Sequence, residues 1–395
     1  MHLGFASRSV LTFALAGLLN SVASAGQIRV PADQPTLRLA LLAAQPGDVI
    51  LVQTAAPQDC VVITKPVTII GDPVLLLWEN EPNCGTKATV ELAGPGSGAV
   101  AISNAVVYGS FDCYYPATPI GGTGFTSLFL YNVNIPKPNA GLTGIGVGVE
   151  GLRTTGIPFV ALERCHIDSA QNNTDDCTQG SAVQLGIANH AAVDVGHGSL
   201  LVLDSKLHGS SGGFLCSKNA IFCPGGLATA GGEGASAVKA GSVHAANSIL
   251  TAGVGTTYVA WTGYPGKSQS QVCWVYGSYP AVIATTYVTL PGAIAATGDA
   301  KLGGQWQLEF DLPSGASYAL FSYGVGRPIE LPGLGTAFLD SATFTVLGLL
   351  SATGGVGTKS YVVPASTSLL GLQIALQPLH AGQGLLRPVA AAIIP

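Results

Sequence analysis

The chain has 395 residues, of which 48% are hydrophobic and only 9% charged, with 16 Lys and Arg against 21 Asp and Glu. This composition excludes an intrinsically disordered chain, which needs low hydrophobicity and high charge, and a nucleic-acid binder, which needs a basic surplus. The 53 glycines follow no collagen-like period, so together with the scarcity of charge they favour an all-β protein with many turns.

Residues 1–25 have the composition of a secretory signal peptide. Arg8 supplies a short positive region, the stretch from Val10 to Leu19 is apolar, and Ala23-Ser24-Ala25 forms a small-residue cleavage site. We therefore expect an exported protein, secreted or held at the cell surface. No later apolar run reaches the ~18–20 residues that span a bilayer, so we expect no membrane span.

The next predicted element is a short helix. The segment from Pro35 to Ala44 is rich in helix formers, and Gln45-Pro46-Gly47-Asp48 ends it. Because a solenoid must cover its first open end, we expect this helix to cap one.

A repeated pattern then indicates the architecture. It reads apolar-x-apolar-x-x-small or apolar-x-apolar, and its five copies begin 28 to 43 residues apart, at Val100, Leu128, Val160, Leu200 and Val243. Such spacing is typical of solenoid repeats, which run to about 20–50 residues. Alternation on both sides of a two-residue break describes two strands that meet at a bend with their apolar side chains inward.

The opening of the exported chain carries a family resemblance. Pro46-Gly47-Asp48-Val49-Ile50-Leu51-Val52 and the segment from Val61 to Asp72 resemble the start of right-handed parallel β-helix proteins of the pectin lyase-like superfamily. The segment from Gln53 to Pro57 departs from the family, which has a Pro-Gly-x-Tyr turn there. The resemblance implies a right-handed parallel β-helix over residues 26–255. This fold hosts lyases, hydrolases and esterases but also adhesins, so the fold does not decide the function.

Residues 256–290 form an aromatic-rich segment that includes Trp261, Tyr264, Trp274 and Tyr276. Such rings stack on sugars in glycan-binding proteins, which makes these four residues candidate ligand-binding positions. The alternative is that they plug the second open end of the solenoid.

Residues 291–395 read as a small antiparallel β-sandwich. Trp306, Leu308 and Phe310 alternate with polar residues, as in a half-buried strand, and the segment around Ile374 and Leu376 does the same. This region also resembles a module found at the C-termini of exported bacterial proteins, which implies no chemistry.

One motif suggests catalysis. Asn173-Thr174-Asp175-Asp176 and Gly196-His197-Gly198 contain letters that polygalacturonase-type hydrolases use, so an enzyme of this fold would work through Asp175, Asp176 and His197. The match is partial, because the two acidic elements overlap and no Arg-Ile-Lys element occurs. The alternative is an Asx-rich turn with a solvated histidine. A lyase would also need Ca²⁺; otherwise we expect no cofactor and no metal.

A second cluster lies in neighbouring copies of the pattern. A ladder of Glu163 over Asp204 and of His166 over His208 would bind a cation or an acidic sugar. The alternative is that all four are outward-facing polar positions of little consequence.

Eight cysteines suit an exported protein with disulfides. Cys216 and Cys223 are the first candidate pair, and Cys165 and Cys177 the second. Cys165 also occupies an apolar position of the repeat, which favours a buried free thiol instead.

These observations favour a non-catalytic exported protein that binds a polysaccharide or another surface component. A polysaccharide lyase or glycoside hydrolase is the first alternative, and a purely structural extracellular repeat protein is the second.

Overall fold

The computed structural model describes residues 26–54, 56–77, 88–109, 118–136, 150–169, 173–174, 190–211, 214–215, 234–254, 257–264, 267–275, 279–312, 317–350 and 356–395. The predicted signal peptide lies outside these residues. The structure is all-β, with 58% strand and 4% helix.

The chain divides into two compact units. The first comprises Ile28–Pro46 and Ile50–Leu290, and the second comprises Pro291–Pro395 with residues 26–27 and Gly47–Val49. Up to Leu290 the described elements are β1 (Gln27–Val30), α1 (Leu37–Ala43), β2 (Val49–Val52), β3 (Val61–Ile63), β4 (Thr68–Leu77), β5 (Ala88–Ala93), β6 (Ala99–Val107), β7 (Thr118–Thr123), β8 (Ser127–Ile135), β9 (Leu152–Arg153), β10 (Phe159–Glu163), β11 (His166–Asp168), β12 (Asn173–Thr174), β13 (Val193–Asp194), β14 (Ser199–Leu203), β15 (Lys206–His208), β16 (Phe214–Leu215), β17 (Val238–Ala246), β18 (Ile249–Thr251), β19 (Thr257–Tyr264), β20 (Lys267–Val275) and β21 (Val282–Thr289).

The five copies of the repeat stack in one register within a large parallel sheet, to which the described residues contribute seventeen strands. Strand β6 pairs with β8, β8 with β10, β10 with β14 and β14 with β17, so that the five predicted starting residues lie level with one another. The repeat predicted from the sequence is therefore confirmed as a stack of parallel strands.

The parallel sheet extends beyond residue 255, where the sequence analysis places its end. Strand β21 pairs in parallel with β17, and Tyr287 lies level with Val243. An antiparallel hairpin of β19 and β20 lies between them in the chain. The aromatic segment is thus divided between this hairpin and one further strand of the sheet.

Alternating side chains of the stacked strands form the core. Most apolar positions of the five copies are buried in one cluster: Val100, Ile102, Ala105, Val107, Leu128, Leu130, Val133, Ile135, Val160, Leu162, Cys165, Ile167, Leu200, Val202, Leu207, Val243 and Ala245. On the opposite face of the same strands Phe129, Ala161 and Leu201 are also buried. These strands are therefore covered on both faces, as parallel strands usually are.

The bend in each copy has a left-handed backbone. One residue at the break in the pattern of every copy has a φ angle between 47° and 53°: Asn104, Asn132, Arg164, Asp204 and Asn247. Asparagine and aspartate tolerate this conformation better than other residues with a Cβ atom, which explains why four of the five positions carry them. The side chains also bridge neighbouring copies, because Asn132 donates a hydrogen bond to Asn104 and Asn247 donates one to Asp204.

Helix α1 occupies the centre of the segment in which the sequence predicts a helix. Thr36 caps its first turn by accepting a hydrogen bond from the Leu39 amide. At the other end, Lys65 Nζ donates to the carbonyl oxygens of Leu42 at 3.0 Å and Ala44 at 2.6 Å. A cation at a helix C-terminus satisfies free carbonyls and opposes the helix dipole, which stabilises this short helix.

The second unit consists of separate, mainly antiparallel sheets. Its described elements are β22 (Ala293–Ala296), β23 (Ala300–Lys301), β24 (Gln305–Asp311), β25 (Ser317–Tyr323), β26 (Val325–Leu331), β27 (Gly335–Leu339), β28 (Thr345–Leu350), β29 (Val356–Val362), a 3-10 turn (Thr367–Leu369), β30 (Gln373–His380), β31 (Gly384–Leu385) and β32 (Val389–Ile394). Strand β24 buries Trp306, Leu308 and Phe310 and exposes the residues between them, as predicted.

Strand β30 differs from the prediction of a half-buried strand. Ala375 and Gln377 are as fully buried as the apolar residues that alternate with them. Gln377 is accommodated because its side chain accepts a hydrogen bond from the Phe338 amide and donates to the carbonyls of Thr336 and Leu386. A polar side chain in a core is stable only with such partners.

Cys165 is a free, buried cysteine, so the predicted Cys165–Cys177 disulfide is wrong. Its thiol points into the core and contacts the carbonyl oxygens of Leu130 at 3.3 Å and Glu163 at 3.4 Å. Burial raises the pKa of the thiol to about 12 and keeps it protonated. Cys60 is disulfide-bonded. The candidate pair Cys216 and Cys223 lies outside the described residues.

Among the described residues, no helix is long and apolar enough to cross a bilayer.

Candidate functional site

Strands β11 and β15 present a polar patch on adjacent rungs of the parallel sheet. Their register places His166 level with Lys206 and Asp168 level with His208, while Ile167 and Leu207 between them are fully buried. Because side chains alternate across a strand, the four polar residues share the outward face.

Three of these side chains converge. His166 Nε2 lies 3.5 Å from Asp168 Oδ1, and the rings of His166 and His208 have centroids 5.9 Å apart. One donor atom from each of the three residues lies within 4.8 Å of the other two. His166 is exposed and the other two are half-buried, so the cluster is open to solvent. Imidazole nitrogens and a carboxylate oxygen are a donor set that binds divalent metal ions.

The predicted ladder of Glu163 over Asp204 and His166 over His208 is wrong in its register. Glu163 lies level with Leu203, and His166 with Lys206, because equivalent residues of these two copies are 40 positions apart. Glu163 is also buried rather than outward-facing and exposed. His166 and His208 are therefore diagonal neighbours on adjacent strands, because His166 lies level with Lys206 and His208 with Asp168.

Asp168 is the residue that the sequence analysis missed. The sequence does indicate its place, because Asp168 follows His166 by two positions in the same strand, and residues two positions apart in a strand share a face. Counting equivalent positions from the start of each copy would have placed His208 beside it.

The bend beside this patch adds further polar groups. Arg164 Nη1 donates to the Tyr131 hydroxyl at 2.9 Å, and its guanidinium carbon lies 5.6 Å from the centre of the Tyr131 ring. In the next copy the bend residue is Asp204, which accepts a hydrogen bond from Asn247.

A second group of polar residues lies on strands β5, β7, β9, β13 and β17, which pair in succession within the same sheet. Glu91 lies level with Gly121, Gly121 with Arg153, Arg153 with Asp194, and Asp194 with Lys239. We call Glu91, Arg153, Asp194 and Lys239 the charged row. Arg153 is exposed and the other three are half-buried, so all four are reachable from solvent. In a chain with only 9% charged residues, charge on three successive rungs is a marked concentration.

Glu150 and His190 form a mostly buried pair near this row. The distance between Glu150 Oε1 and His190 Nδ1 is 3.2 Å. Burial by itself raises the pKa of the Glu150 carboxyl, but the adjacent His190 imidazole, together with a backbone hydrogen bond and Arg153, outweighs this effect. The pKa therefore lies below its ordinary value, and the ionised carboxylate stabilises the folded state.

Replacing Glu150 with glutamine should lower the free energy of unfolding at neutral pH by about 2 kcal/mol, because the substitution removes a buried, charge-assisted contact. The folded pKa is depressed, so the wild-type advantage is complete above the pKa of an unfolded glutamate and is lost as pH falls through the folded pKa. Urea unfolding of both proteins from about pH 7 to about pH 3 measures this difference. Asp59→Asn, at an exposed carboxylate, is the control. If the difference in the free energy of unfolding between wild type and Glu150→Gln stayed constant with pH, the lowered pKa assigned to Glu150 would be contradicted.

The residues of the predicted hydrolase motif are only partly described. His197 is exposed in the turn between β13 and β14, two residues before the core strand, as the solvated-histidine alternative describes. Asp175 and Asp176 lie outside the described residues, so their part in catalysis stays a prediction.

Three of the four predicted aromatic positions occupy the hairpin. Trp261 and Tyr264 belong to β19 and lie level with Ser270 and Lys267 of β20, and Trp274 lies level with Tyr258. Tyr276 lies outside the described residues. Sugar stacking and end-plugging both stay predictions.

No protein-family model, no curated protein and no solved structure matches the chain. The structure by itself defines the class of an all-β protein with a large parallel sheet and separate antiparallel sheets.

Proposed function

We propose that this protein is an exported, non-catalytic β-helix protein that binds a polysaccharide, or another polyhydroxylated surface component, along the outside of its parallel stack. The observation that carries this proposal is the charged row. Three of its side chains, those of Arg153, Asp194 and Lys239, stand on successive strands of the sheet, separated by about 4.8 Å per strand. An extended polymer lying along the stack would meet one charged group on each of three successive rungs.

The chemistry of the charged row suits a sugar polymer. Arg153 and Lys239 donate hydrogen bonds to hydroxyl or carboxylate oxygens, and Asp194 accepts hydrogen bonds from hydroxyl groups. Both signs alternate along the row, and the chain carries a net charge of −5. This combination fits a hydroxyl-rich ligand better than a densely charged polyanion such as a nucleic acid.

The fold we infer around this row extends the pectin lyase-like resemblance. The stacked copies wind as a right-handed parallel β-helix, helix α1 caps its first end, and the second unit forms a β-sandwich. The signal peptide directs the protein out of the cell. Exposed rows of side chains along such a stack are the extended surfaces that solenoid proteins use for binding.

Polysaccharide binding by charge-row variants tests the proposal. Affinity electrophoresis on polygalacturonate and on a neutral glucan compares wild type with the double variant Arg153→Ala/Lys239→Ala. Each of the two substitutions removes a charge-assisted hydrogen bond to the polysaccharide. We therefore expect the double variant to bind at least about tenfold more weakly than wild type. No reducing ends or unsaturated products should form with either protein.

A matched control makes the same change of charge in the second unit. Arg327 and Lys359 are exposed on β26 and β29, and Arg327→Ala/Lys359→Ala should bind as wild type does. If both double variants lost the same amount of binding affinity, the polysaccharide would be attracted by net charge and not bound at the charged row. Binding that is unchanged in Arg153→Ala/Lys239→Ala would overturn the proposal.

A further inference from the structure

His166, Asp168 and His208 have the geometry of a three-ligand metal site. His166 and Asp168 share the outward face of one short strand, and His208 stands level with Asp168 on the next rung. Their donor atoms lie within 4.8 Å of one another, and His166 Nε2 lies 3.5 Å from Asp168 Oδ1.

These distances suit a tetrahedral ion with short bonds. Zinc binds imidazole nitrogen and carboxylate oxygen at about 2.0–2.2 Å, which places neighbouring ligand atoms about 3.3 Å apart. His166 and Asp168 already meet this separation. The His208 donor atom, which lies within 4.8 Å of the other two, must approach them more closely when an ion binds, and its side chain is only half-buried.

The backbone beneath the cluster holds the ligands in place. The His208 carbonyl accepts hydrogen bonds from the Ser169 amide at 3.1 Å and the Ser169 hydroxyl at 3.2 Å. Between the ligands, Ile167 and Leu207 are fully buried in the core. Ligands fixed on rigid strands lose little freedom on binding, which favours a metal site.

The donor set selects the class of metal. Two imidazoles and one carboxylate suit zinc and the other late first-row divalent ions, whereas Ca²⁺ takes six to eight oxygen ligands. We propose that His166, Asp168 and His208 bind a divalent transition-metal ion, with zinc as the reference ion. Three protein ligands leave a fourth position open to solvent, where water or an oxygen atom of a bound molecule completes the coordination.

Lys206 is the neighbouring group that opposes cation binding. It lies level with His166 and is exposed, so its long side chain can direct its ammonium group into solvent. Lys206→Gln should therefore bind zinc as tightly as wild type or more tightly.

The test is a zinc titration of the full exported chain, prepared without a histidine tag and stripped with EDTA. Isothermal titration calorimetry should show saturable binding with one ion in this site, and no binding of Ca²⁺ to it. His208→Ala and Asp168→Asn should each weaken this binding at least about tenfold, since removing even a supporting group around a metal costs 10–100-fold. Substituting Co²⁺ gives a second readout, because visible absorption bands typical of a four-coordinate nitrogen and oxygen site should appear in wild type and be lost in His208→Ala.

His197→Ala is the matched control, because His197 is another exposed histidine, in a turn of the same unit. It should bind zinc as wild type does. Zinc affinity unchanged in His208→Ala, or reduced equally in His197→Ala, would overturn the proposal. Urea unfolding of each variant without metal verifies that the fold is intact.

The proposal of a metal site and the proposal of polysaccharide binding at the charged row can be overturned independently of each other. His208→Ala should retain polysaccharide binding in EDTA, and Arg153→Ala/Lys239→Ala should retain zinc binding. Loss of zinc binding in the latter variant would contradict the assignment of the metal to His166, Asp168 and His208.

Discussion

Replacing Gln377 with leucine should lower the free energy of unfolding of the C-terminal unit by about 3–5 kcal/mol. The side chain is fully buried and satisfies the Phe338 amide and the carbonyls of Thr336 and Leu386. Leucine has similar size but leaves these three buried backbone groups without that partner, and each such loss costs about 1–3 kcal/mol. Urea unfolding measures the change in stability, and hydrogen exchange at the Phe338 amide locates it in this unit.

Gln383→Leu is the control for this substitution. Gln383 is exposed in the turn after β30, so the same chemical change should alter the free energy of unfolding by no more than about 0.5 kcal/mol. If Gln377→Leu were no more destabilising than Gln383→Leu, the three hydrogen bonds would not contribute to stability.

Asn104→Val should destabilise the first unit by about 3 kcal/mol. Asn104 has a φ angle of 53°, accepts a hydrogen bond from Asn132 at 2.9 Å and donates one to the Gly71 carbonyl at 3.4 Å. A left-handed conformation costs an ordinary residue about 1–2 kcal/mol, and a β-branched residue more than most. The loss of the hydrogen bonds adds about 1 kcal/mol.

Asn104→Gly separates these two contributions. Glycine adopts the left-handed conformation freely and loses only the side-chain hydrogen bonds, so it should cost about 1 kcal/mol. Asn134→Val, in the extended backbone of β8, should have a small effect because valine favours strands. Both variants are measured by urea unfolding. Equal destabilisation by Asn104→Gly and Asn104→Val would show that the left-handed backbone conformation does not contribute to the cost of the valine substitution.

The repeat could be read from the sequence because its signal is local. Inward positions such as Val160 and Leu162 are apolar in every copy, and a stack of strands demands that periodicity whatever else the chain does. The end of the stack was harder to predict. In β21 a large aromatic residue, Tyr287, occupies the position that Val243 fills in the preceding strand, and a long hairpin separates the two strands.

The candidate site could be predicted only in part. The repeat predicts His166 and His208 as a pair on one level, whereas they are diagonal neighbours and Asp168 completes the cluster. The residues that look alike in the two copies, His166 and His208, are 42 positions apart, whereas equivalent positions such as Cys165 and Ser205 are 40 apart. A displacement of two positions along a strand keeps a residue on the same face, so the periodicity alone did not reveal it.

The sequence by itself determined that this chain is all-β, repetitive and poor in charge. These properties depend on short-range periodicity and composition, which do not require knowledge of distant contacts. Only the tertiary structure decided that the parallel sheet continues into β21, that Cys165 is a buried free thiol, and that two histidines and an aspartate converge. Whether side chains about forty residues apart converge depends on side-chain conformations and on contacts between distant strands, which no local pattern records.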